Sequence, residues 1–511
     1  MSAVLFGAVA AAPAAAREIS AAGAAPKGVP APSTDRAHRF GVYAWGFDQS
    51  SYPVCEGCLD RLNWAAEKVA AAGSRTIRVY LGARDDYQVN PPVNPEDAGY
   101  LARIVAGAGY PVATSATAYG QLFADPRFDT YLLTVYTPAD DRNDWIAGWM
   151  RDQSALESEQ IAELSDVLLR AFPRKTFILL NWEGDNAIHG HAGEPAVWES
   201  FVAWMRSRTA GVRAAQARNS GGKARLFAGL EFNQLRKGGV WCGSDGALAH
   251  RCVVDYAGPR VEVDYYSYSS WETLSIKGLD PTANLKHELG VSLGYALDLL
   301  KRARPELTPA NFLLGEYGFA RAAPRYGECR AAAYVGELVG AFEQPDAFGL
   351  SYAVFWQVLD NAQIDGADGG TFGLFRGSDG ALTLPGSFLR AALQGAKLPA
   401  LPASCPRIYA CHDDPSNSCG AVDAATWKPL FSPDSTLAIF GVNFSRSGNS
   451  VEVVQGGHRF VLPRDGGLDW WESRGQINAA LPDGLTPGQA FVYVTDARGL
   501  DSNGQVLNLQ P

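Results

Sequence analysis

The 511-residue chain has no surplus of basic residues and, beyond its N-terminal region, no long apolar run. Its 44 Lys and Arg residues stand against 54 Asp and Glu residues, a net charge of −10, so it lacks the positive field that attracts phosphate backbones. No later stretch is long and apolar enough to span a bilayer. We therefore expect neither a nucleic-acid partner nor a membrane span.

Common cofactor and catalytic motifs are also missing. The chain contains no P-loop and no recognisable Ser-His-Asp arrangement, so we expect no cofactor. The run DGADGG at 365–370 resembles part of a calcium loop, but no glutamate follows at the required place, which favours a turn. His189 and His191 have a spacing that could hold a metal, yet their loop position favours substrate contact or solvent exposure. No metal site is predicted.

Cysteine pairs of the kind that hold zinc are scarce. A zinc site would need two Cys-x-x-Cys or Cys/His pairs, and only Cys55 and Cys58 form one. In an exported protein, an even number of cysteines clustered in loops indicates disulfides, whose pairing stays open. Two cysteines flank a short polar loop, three crowd a Pro/Asp/Ser-rich segment and one is a possible partner for that group: Cys242, Cys252, Cys405, Cys411, Cys419 and Cys329.

The N-terminus has the apolar run and small-residue end of a secretory signal. Residues 2–16 read SAVLFGAVAAAPAAA and precede Arg17, although the usual basic segment before the run is absent. An alanine-rich disordered tail is the alternative. We expect residues 1–37 to be a signal-like segment and linker, and the protein to be secreted, periplasmic or at the surface of a bacterial cell.

Residues 38–398 alternate short β-rich runs with longer helical stretches. Mostly unalternating strands separated by helices predict a parallel sheet covered by helices. Eight such units are what a closed (β/α)8 barrel needs. An open doubly wound sheet is the alternative, but it would usually show a Gly-rich phosphate turn, which FGVYAWGFDQS lacks. The eight runs are 40–45, 76–81, 130–137, 176–182, 224–231, 261–268, 311–316 and 351–358.

The composition of the chain changes after Pro399. Residues 399–423 are rich in turn residues and cysteine, which predicts a linker held by disulfides. Residues 424–511 alternate short β runs with turns, which predicts a small antiparallel sandwich. The predicted fold class is therefore an α/β TIM barrel followed by an all-β immunoglobulin-like sandwich.

Polar residues close most of the predicted barrel strands. In such a barrel the active site lies at the carboxyl ends of the strands, so these side chains should converge on one rim. They comprise carboxylates, amides, aromatics and one arginine: Trp45, Arg78, Asn181, Glu183, Glu231, Asn233, Tyr266, Tyr268, Trp271, Glu316 and Trp356.

Glu183 and Glu316 are the predicted catalytic pair. They follow strands four and seven, nearly opposite in a ring of eight. Two facing carboxylates can break an acetal when one protonates the leaving oxygen and the other attacks the anomeric carbon or activates water. The aromatic residues would stack on the apolar faces of sugar rings. The structural alternative is that Glu183 caps a helix or pairs with Arg78, and that Glu316 belongs to a buried ion pair.

The barrel region resembles the retaining glycoside hydrolases of clan A, a cellulase-like superfamily. The resemblance rests on LLGEYG around Glu316, YAVFWQVLDN around Trp356 and TFGLFRGSDGALTLPGSFLRAAL at 371–393. It implies that Glu316 is the nucleophile and Glu183 the acid/base, and that Arg78 steadies the nucleophile. It also implies that Tyr266 or Tyr268 donates a hydrogen bond to the nucleophile and that the Trp356 ring forms the floor of the sugar subsite.

The chain departs from that clan at one place. The clan has asparagine directly before the acid/base, whereas Trp182 here separates Asn181 from Glu183. Residues two apart on a strand share a face, so both can still point into the barrel mouth. Glu231 is an alternative proton donor or a subsite ligand. A non-catalytic carbohydrate-binding or scaffold protein is the alternative function.

The C-terminal region resembles the IPT/TIG-type immunoglobulin-like modules of exported bacterial proteins. The resemblance rests on LAIFGVNFS and GQINAALPDGLTPG. It implies a spacer or binding appendage. For the whole chain we expect a monomer that acts on an oligo- or polysaccharide.

Overall fold

A computed structural model describes residues 29–510 of the chain apart from several segments. Residues 1–28 and 511, and therefore most of the signal-like segment, lie outside the described part. The internal segments outside it are 46–58, 84–86, 88, 91–96, 108–116, 139–150, 280–282, 322–326, 344–347, 361–370, 377–379, 409–420, 425, 427, 429, 433–434, 446–447, 463–475, 498–499 and 503.

Eight parallel strands close into a barrel. Around the ring their order is β1, β10, β9, β8, β5, β4, β3 and β2, with β2 returning to β1. The strands are β1 (Phe40–Tyr43), β2 (Thr76–Gly82), β3 (Thr130–Tyr136), β4 (Thr176–Leu180), β5 (Arg225–Phe232), β8 (Tyr265–Ser269), β9 (Phe312–Tyr317) and β10 (Tyr352–Phe355). A hairpin of β6 (Arg236–Lys237) and β7 (Val240–Trp241) follows β5. The predicted (β/α)8 barrel is confirmed, and the open sheet is wrong.

Both faces of the barrel sheet are covered, which explains why its strands do not alternate in polarity. Arg225, at the start of β5, is the one exposed residue in these eight strands. The barrel interior is a separate cluster that includes Ile178, Tyr265 and Leu313, and the larger core lies between the strands and the outer helices. Continuous apolar runs are what a parallel sheet buried on both faces needs.

The helices lie around the barrel and begin at recognisable caps. Asp60, Thr117, Asn284 and Thr383 each accept a hydrogen bond from a backbone N–H in the first turn of the helix that follows. The helices are α1 (Arg36–Arg39), α2 (Arg61–Ala72), α3 (Tyr100–Ala106), α4 (Ala118–Ala124), α5 (Arg151–Ala171), α6 (Gly184–Ala187), α7 (Pro195–Arg218), α8 (Val253–Tyr256), α9 (Trp271–Leu279), α10 (Leu285–Lys301), α11 (Glu328–Glu343) and α12 (Leu384–Leu393). Of these described helices, none combines the length and apolarity that crossing a membrane requires.

Two further sheets follow the barrel and share a small apolar core of their own. One contains β11 (Arg407–Ile408), β12 (Ala421–Asp423), β14 (Thr436–Val442) and β17 (Gln476–Ala480). The other contains β13 (Leu430–Phe431), β15 (Ser450–Gln455), β16 (His458–Val461), β18 (Gly488–Thr495) and β19 (Gln505–Leu509). Gly456 and Gly457, with φ of 55° and 83°, make the two-residue turn between β15 and β16. An all-β sandwich after the barrel is confirmed.

Two disulfides are described. Cys242 pairs with Cys252 across the polar loop after β7, and Cys329 of α11 pairs with Cys405 of the linker. The other four cysteines lie outside the described residues.

The predicted strand at 261–268 is wrong in extent. The strand begins only at Tyr265, where pairing with Gly229 starts, and a 3₁₀ turn at Gly258–Arg260 precedes this stretch of chain.

Candidate active site

Three strand-end carboxylates and one arginine lie together inside the barrel mouth. Glu183 follows β4, Glu231 lies on β5, Glu316 on β9 and Arg78 on β2. Their relative exposures are 4%, 0%, 2% and 0%. Ionised groups so far from water require partners, and each of the four has at least one in this cluster.

Arg78 and Glu231 form a two-point ion pair. Arg78 Nη1 lies 2.7 Å from Glu231 Oε2, and Nη2 lies 2.8 Å from Oε1. Arg78 also donates to the Thr134 hydroxyl and to the carbonyl oxygen of Gly315, and Glu231 Oε2 accepts from Ser267 Oγ at 2.6 Å. Both oxygens of Glu231 therefore accept hydrogen bonds from a guanidinium that always carries its protons.

Gly315 is needed where β9 passes this ion pair. A Cβ at position 315 would lie 2.1 Å from both Glu231 Oε2 and Ser267 Oγ. The glycine in LLGEY thus allows the strand that carries Glu316 to approach the pair closely.

Asn181 and Glu183 point inward while Trp182 points out. The Asn181 amide donates to the carbonyl oxygen of Glu231 at 2.9 Å and accepts from the N–H of Glu231 at 2.8 Å, so it extends the β4–β5 pairing by a side chain. Trp182 is 40% exposed. Because both ends of its amide pair with the backbone of Glu231, Asn181 links β4 to β5. Its predicted contact with substrate stays a prediction.

Ser269 bridges Glu183 and Glu316. Its Oγ lies 2.5 Å from Glu183 Oε1 and 3.2 Å from Glu316 Oε2. These two carboxylate oxygens can therefore be no more than roughly 6 Å apart, a limit that includes the separation of about 5 to 5.5 Å found in retaining glycosidases. Glu183 Oε2 accepts from the Asn186 amide of α6, and Glu316 Oε2 accepts from the Trp271 indole at 3.2 Å.

Burial raises the pKa of both glutamates in this pair. The pKa of Glu183 is raised to about 7, with the hydrogen bonds from Ser269 and Asn186 acting in the opposite direction. The pKa of Glu316 is raised well above its ordinary value by burial and by the charges of Glu183 and Glu231, while Arg78, with Nη1 3.5 Å from Oε1, opposes the rise. Burial and mutual repulsion both act against ionising the two carboxyls together.

Three tryptophans form a half-buried wall beside Glu316. The Trp356 ring lies 6.3 Å from the Trp45 ring and 6.4 Å from the Trp271 ring, measured between centroids. Trp356 also packs edge-on against Tyr43, whose ring lies under the Arg78 guanidinium at 4.6 Å. A cis peptide bond joins Trp356 to Gln357. The wall presents the kind of surface on which sugar rings stack.

The structure corrects the prediction for Tyr266 and Tyr268. Both face the outer helices: Tyr266 donates to the carbonyl oxygen of Gly258, and the Tyr268 hydroxyl pairs with Thr273. Alternation along β8 places Tyr265, Ser267 and Ser269 inside instead. The hydrogen bonds expected from a tyrosine on this strand are made to Glu316 by Ser269 and Trp271.

Asn233 lies at the edge of the cluster. Its backbone N–H donates to Asp185 Oδ2, and within the described residues its side-chain Oδ1 has no hydrogen-bond partner. The structure thus brings Glu183, Glu231, Glu316, Arg78 and Asn181 together, with Trp45, Trp271 and Trp356 beside them.

The described residues offer little for a metal ion. The one grouping of possible ligands found in them is Cys242, Cys252 and Asp255, and its two sulfurs form a disulfide. His189 and His191 are both exposed, and His191 Nδ1 lies 2.9 Å from a Glu194 oxygen. The DGADGG run lies outside the described residues.

Sequence reasoning missed four side chains that contact the cluster: Thr134, Asn186, Ser267 and Ser269. The two-residue period of a strand places both serines on the same face as the barrel-core residue Tyr265, so they can be identified only once the inward face of β8 is known. Asn186 depends on a turn after Glu183 that no periodicity predicts.

Comparisons with known proteins give distant structural likenesses. No family model matches the chain, and no curated protein is similar to it. A β-glucuronidase from Bacteroides uniformis is 11% identical, with a TM-score of 0.38; the likeness covers 93% of this chain but only 46% of that one. A GH5_18 from Streptomyces cattleya, crystallised with Manβ1-4GlcNAc, is 16% identical over 71% of this chain and 82% of that chain, with a TM-score of 0.46. A GH5_18 from Bifidobacterium longum subsp. infantis is 16% identical over 70% of this chain and 79% of that chain, with a TM-score of 0.44. These values are too low to assign a function.

Proposed function

We propose that the chain is a retaining glycoside hydrolase in which Glu316 is the nucleophile and Glu183 the acid/base. The observation that carries the proposal is the pair of buried carboxyls linked by one hydroxyl at the carboxyl end of a closed parallel barrel. The proximity of Arg78 to Glu316 supports the order of roles, because a cation favours the ionised form of the nearer acid.

The reaction would run in two steps. Glu183 donates its proton to the glycosidic oxygen while a Glu316 oxygen attacks the anomeric carbon, so the C–O bond to the leaving group breaks and a glycosyl-enzyme forms. Glu183, now ionised, takes a proton from water, whose oxygen attacks the anomeric carbon and releases Glu316. Glu231 has both oxygens engaged by Arg78 and is assigned to steady that arginine rather than to donate a proton.

The aromatic wall supports an oligo- or polysaccharide as the substrate class. Trp45, Trp271 and Trp356 would stack on the sugar next to Glu316, and the Trp182 ring is exposed beside the acid. Asn233 remains a proposed subsite ligand.

Export and the role of the C-terminal module are part of the same proposal. The two described disulfides support an oxidising compartment outside a bacterial cytoplasm. The two packed sheets that begin with β11 support an IPT/TIG-like module that acts as a spacer or binding appendage. We propose a monomer in which the barrel spans 38–398, and the expected boundary between linker and module at 423/424 is corrected, because β11 and β12 pair with β14 and the module therefore includes Arg407–Ile408 and Ala421–Asp423.

The purified protein should hydrolyse at least one member of a panel of polysaccharides and aryl glycosides. Glu316→Gln should lower kcat by at least about a thousandfold on any glycoside, because an amide cannot displace the leaving group. Glu183→Ala should lose most activity on an oligosaccharide but keep far more on a dinitrophenyl glycoside, whose leaving group needs no proton. Proton NMR of the first-formed product should show the anomeric configuration retained.

Glu231→Gln is the comparison for these variants. Its fall in activity should be the same on the oligosaccharide and on the dinitrophenyl glycoside, because Glu231 is not assigned to protonate the leaving group. Inverted product, or full activity of Glu316→Gln, would contradict the retaining mechanism. Sugar binding without turnover in the unaltered protein would favour the non-catalytic alternative.

A further inference from the structure

The Ser269 hydroxyl occupies a position between the two carboxyls of the proposed catalytic pair. Ser269 is the last residue of β8 and is fully buried. It lies opposite Glu316 in the β8–β9 pairing, directly after a register shift between Tyr268 and Ser269. Its Oγ is within hydrogen-bonding distance of Glu183 Oε1, at 2.5 Å, and of Glu316 Oε2, at 3.2 Å.

Counting hydrogens restricts the protonation of this group. A serine hydroxyl has one proton to donate and lone pairs to accept, whereas an ionised carboxylate only accepts. If both glutamates were ionised, only one of the two O···O contacts, at 2.5 Å and 3.2 Å, would contain a hydrogen. If one is protonated, it donates to Oγ and Oγ donates to the other, so both contacts are hydrogen bonds.

The charges around Ser269 also favour one shared proton. Glu183 after β4, Glu316 on β9, Glu231 on β5 and Arg78 on β2 face this space, and the Tyr43 ring of β1 lies under Arg78. Arg78 is already balanced by the two-point contact with Glu231. Because Arg78, whose Nη1 also lies 3.5 Å from Glu316 Oε1, is one cation shared among three carboxyls, a single negative charge shared by Glu183 and Glu316 costs less than two.

We propose that Ser269 is a positioning residue for the carboxyl pair: its hydroxyl joins Glu183 to Glu316 through one shared proton and holds their oxygens at the spacing of the displacement reaction. Proton exchange through it is balanced. The acid form of Glu183 gives its proton to Oγ as Oγ gives its own to Glu316, so one carboxyl becomes ionised as the other becomes neutral and the serine is unchanged. A substrate oxygen entering between the carboxyls replaces this bridge. The role of Ser269 in catalysis rests on the proposed function, whereas its contacts with the two carboxyls do not.

The test measures titration of the carboxyls without any substrate. Protein labelled with ¹³C at the glutamate side-chain carboxyls is followed by NMR from pH 4 to 10, and the Glu183 and Glu316 signals are assigned by their loss in Glu183→Gln and Glu316→Gln. Ser269→Ala should move the Glu183 step, at which the pair loses its shared proton, downward by about one pH unit, since the hydroxyl makes two hydrogen bonds with the singly protonated pair but only one when both glutamates are ionised.

Ser267→Ala is the matched control. Ser267 is equally buried on the same face of the same strand, but its hydroxyl contacts Glu231. It removes the same atom and should shift the Glu183 step much less. Ser269→Cys fills the site with a weaker donor and should give a smaller shift in the same direction, which keeps the test open if the alanine variant does not fold.

An unchanged Glu183 step in Ser269→Ala, or an equal shift in Ser267→Ala, overturns the inference. If a glycoside is turned over, the alkaline limb of kcat/KM should move to lower pH in Ser269→Ala by the same amount as the NMR step. If no glycoside is turned over, the proposed function fails while the titration still decides the role of Ser269.

Discussion

Glu183 and Glu316 are ionisable side chains that the fold keeps almost entirely out of water. Because their pKa values are raised by burial, ionising them in the folded protein costs free energy that the unfolded chain does not spend. Such a cost is typical of groups held for chemistry rather than for stability. It can be measured without knowing the substrate.

We expect Glu183→Gln to stabilise the protein above neutral pH. The pKa of Glu183 is about 7 in the folded state against 4.5 ordinarily, so its stability contribution is fully present below pH 4.5 and is lost as pH rises through 7. A pKa difference of one between the folded and unfolded states corresponds to about 1.4 kcal/mol, so an uncharged amide should gain up to roughly 3 kcal/mol at pH 8 and little at pH 4.5. Urea unfolding at both pH values measures the difference.

Glu231→Gln provides the opposite comparison at the same site. It leaves Arg78 buried without its two-point partner, which should cost about 3 to 5 kcal/mol at both pH values. If Glu183→Gln were destabilising at pH 8 to a similar degree, the carboxyl of Glu183 would belong to the structural framework, as Glu231 does.

The sequence identified the charged residues of the site but not their partners. Glu183, Glu231, Glu316 and Arg78 are visible because a polar residue ends or interrupts a buried run. Deciding between Tyr266 and Ser267 as an inward side chain requires the phase of β8, and that phase depends on which β5 and β9 residues it pairs with. Long-range pairing of this kind is not encoded in local periodicity.

At the scale of elements, the turn that follows Glu183 is tied to the loop after β5. Asp185 of α6 accepts from the backbone N–H groups of Asn233, Gln234 and Val253, and it is almost fully buried. Asn186, the next residue, contacts Glu183. One carboxylate thus fixes α6, the start of the β6–β7 hairpin and α8 relative to one another.

Asp185→Ala should loosen this connection, because two buried N–H groups and one partly buried N–H group would lose their acceptor. We expect a loss of about 3 kcal/mol or more and faster hydrogen exchange in residues 233–256, measured by mass spectrometry. Asp245→Ala is the control: Asp245 lies in the same loop and accepts from the Ala247 N–H, but it is exposed, so its removal should change the stability little. Equal exchange in the two variants would contradict the proposed connection.

Element types were predictable where local signals agreed. The eight barrel strands and the strands of the C-terminal sheets follow from β-rich runs between turn residues, and β15–β16 from its Gly-Gly turn. The α6 turn and the β6–β7 hairpin were not predicted, because four-residue and two-residue elements depend on tertiary contacts such as those of Asp185.

At the scale of the whole molecule, the barrel and the C-terminal sheets are joined at α11. Cys329 is bonded to Cys405, and the next residue, Arg330, forms a buried ion pair with Asp501 and lies 4.0 Å from the Tyr493 ring centroid. A cavity of about 580 Å³ lies at this junction. Burial raises the pKa of Asp501 to about 6 despite the opposing charge of Arg330. These contacts hold the module against the barrel.

Removing each disulfide should loosen a different part of the molecule. The Cys329–Cys405 bond closes a separation of 76 residues, so replacing both cysteines with serine should cost about 4 kcal/mol in the chain-entropy model. Hydrogen exchange should then rise in β14 and β18 and at Asp501 but not in residues 233–256. The Cys242–Cys252 bond closes a separation of 10 residues, and replacing both of these cysteines with serine should cost about 3 kcal/mol. Hydrogen exchange should then rise in residues 233–256 but not in β14, in β18 or at Asp501. Exchange that rises in both regions in both variants would mean that barrel and module open as one cooperative unit, and that the α11 junction is not where they separate.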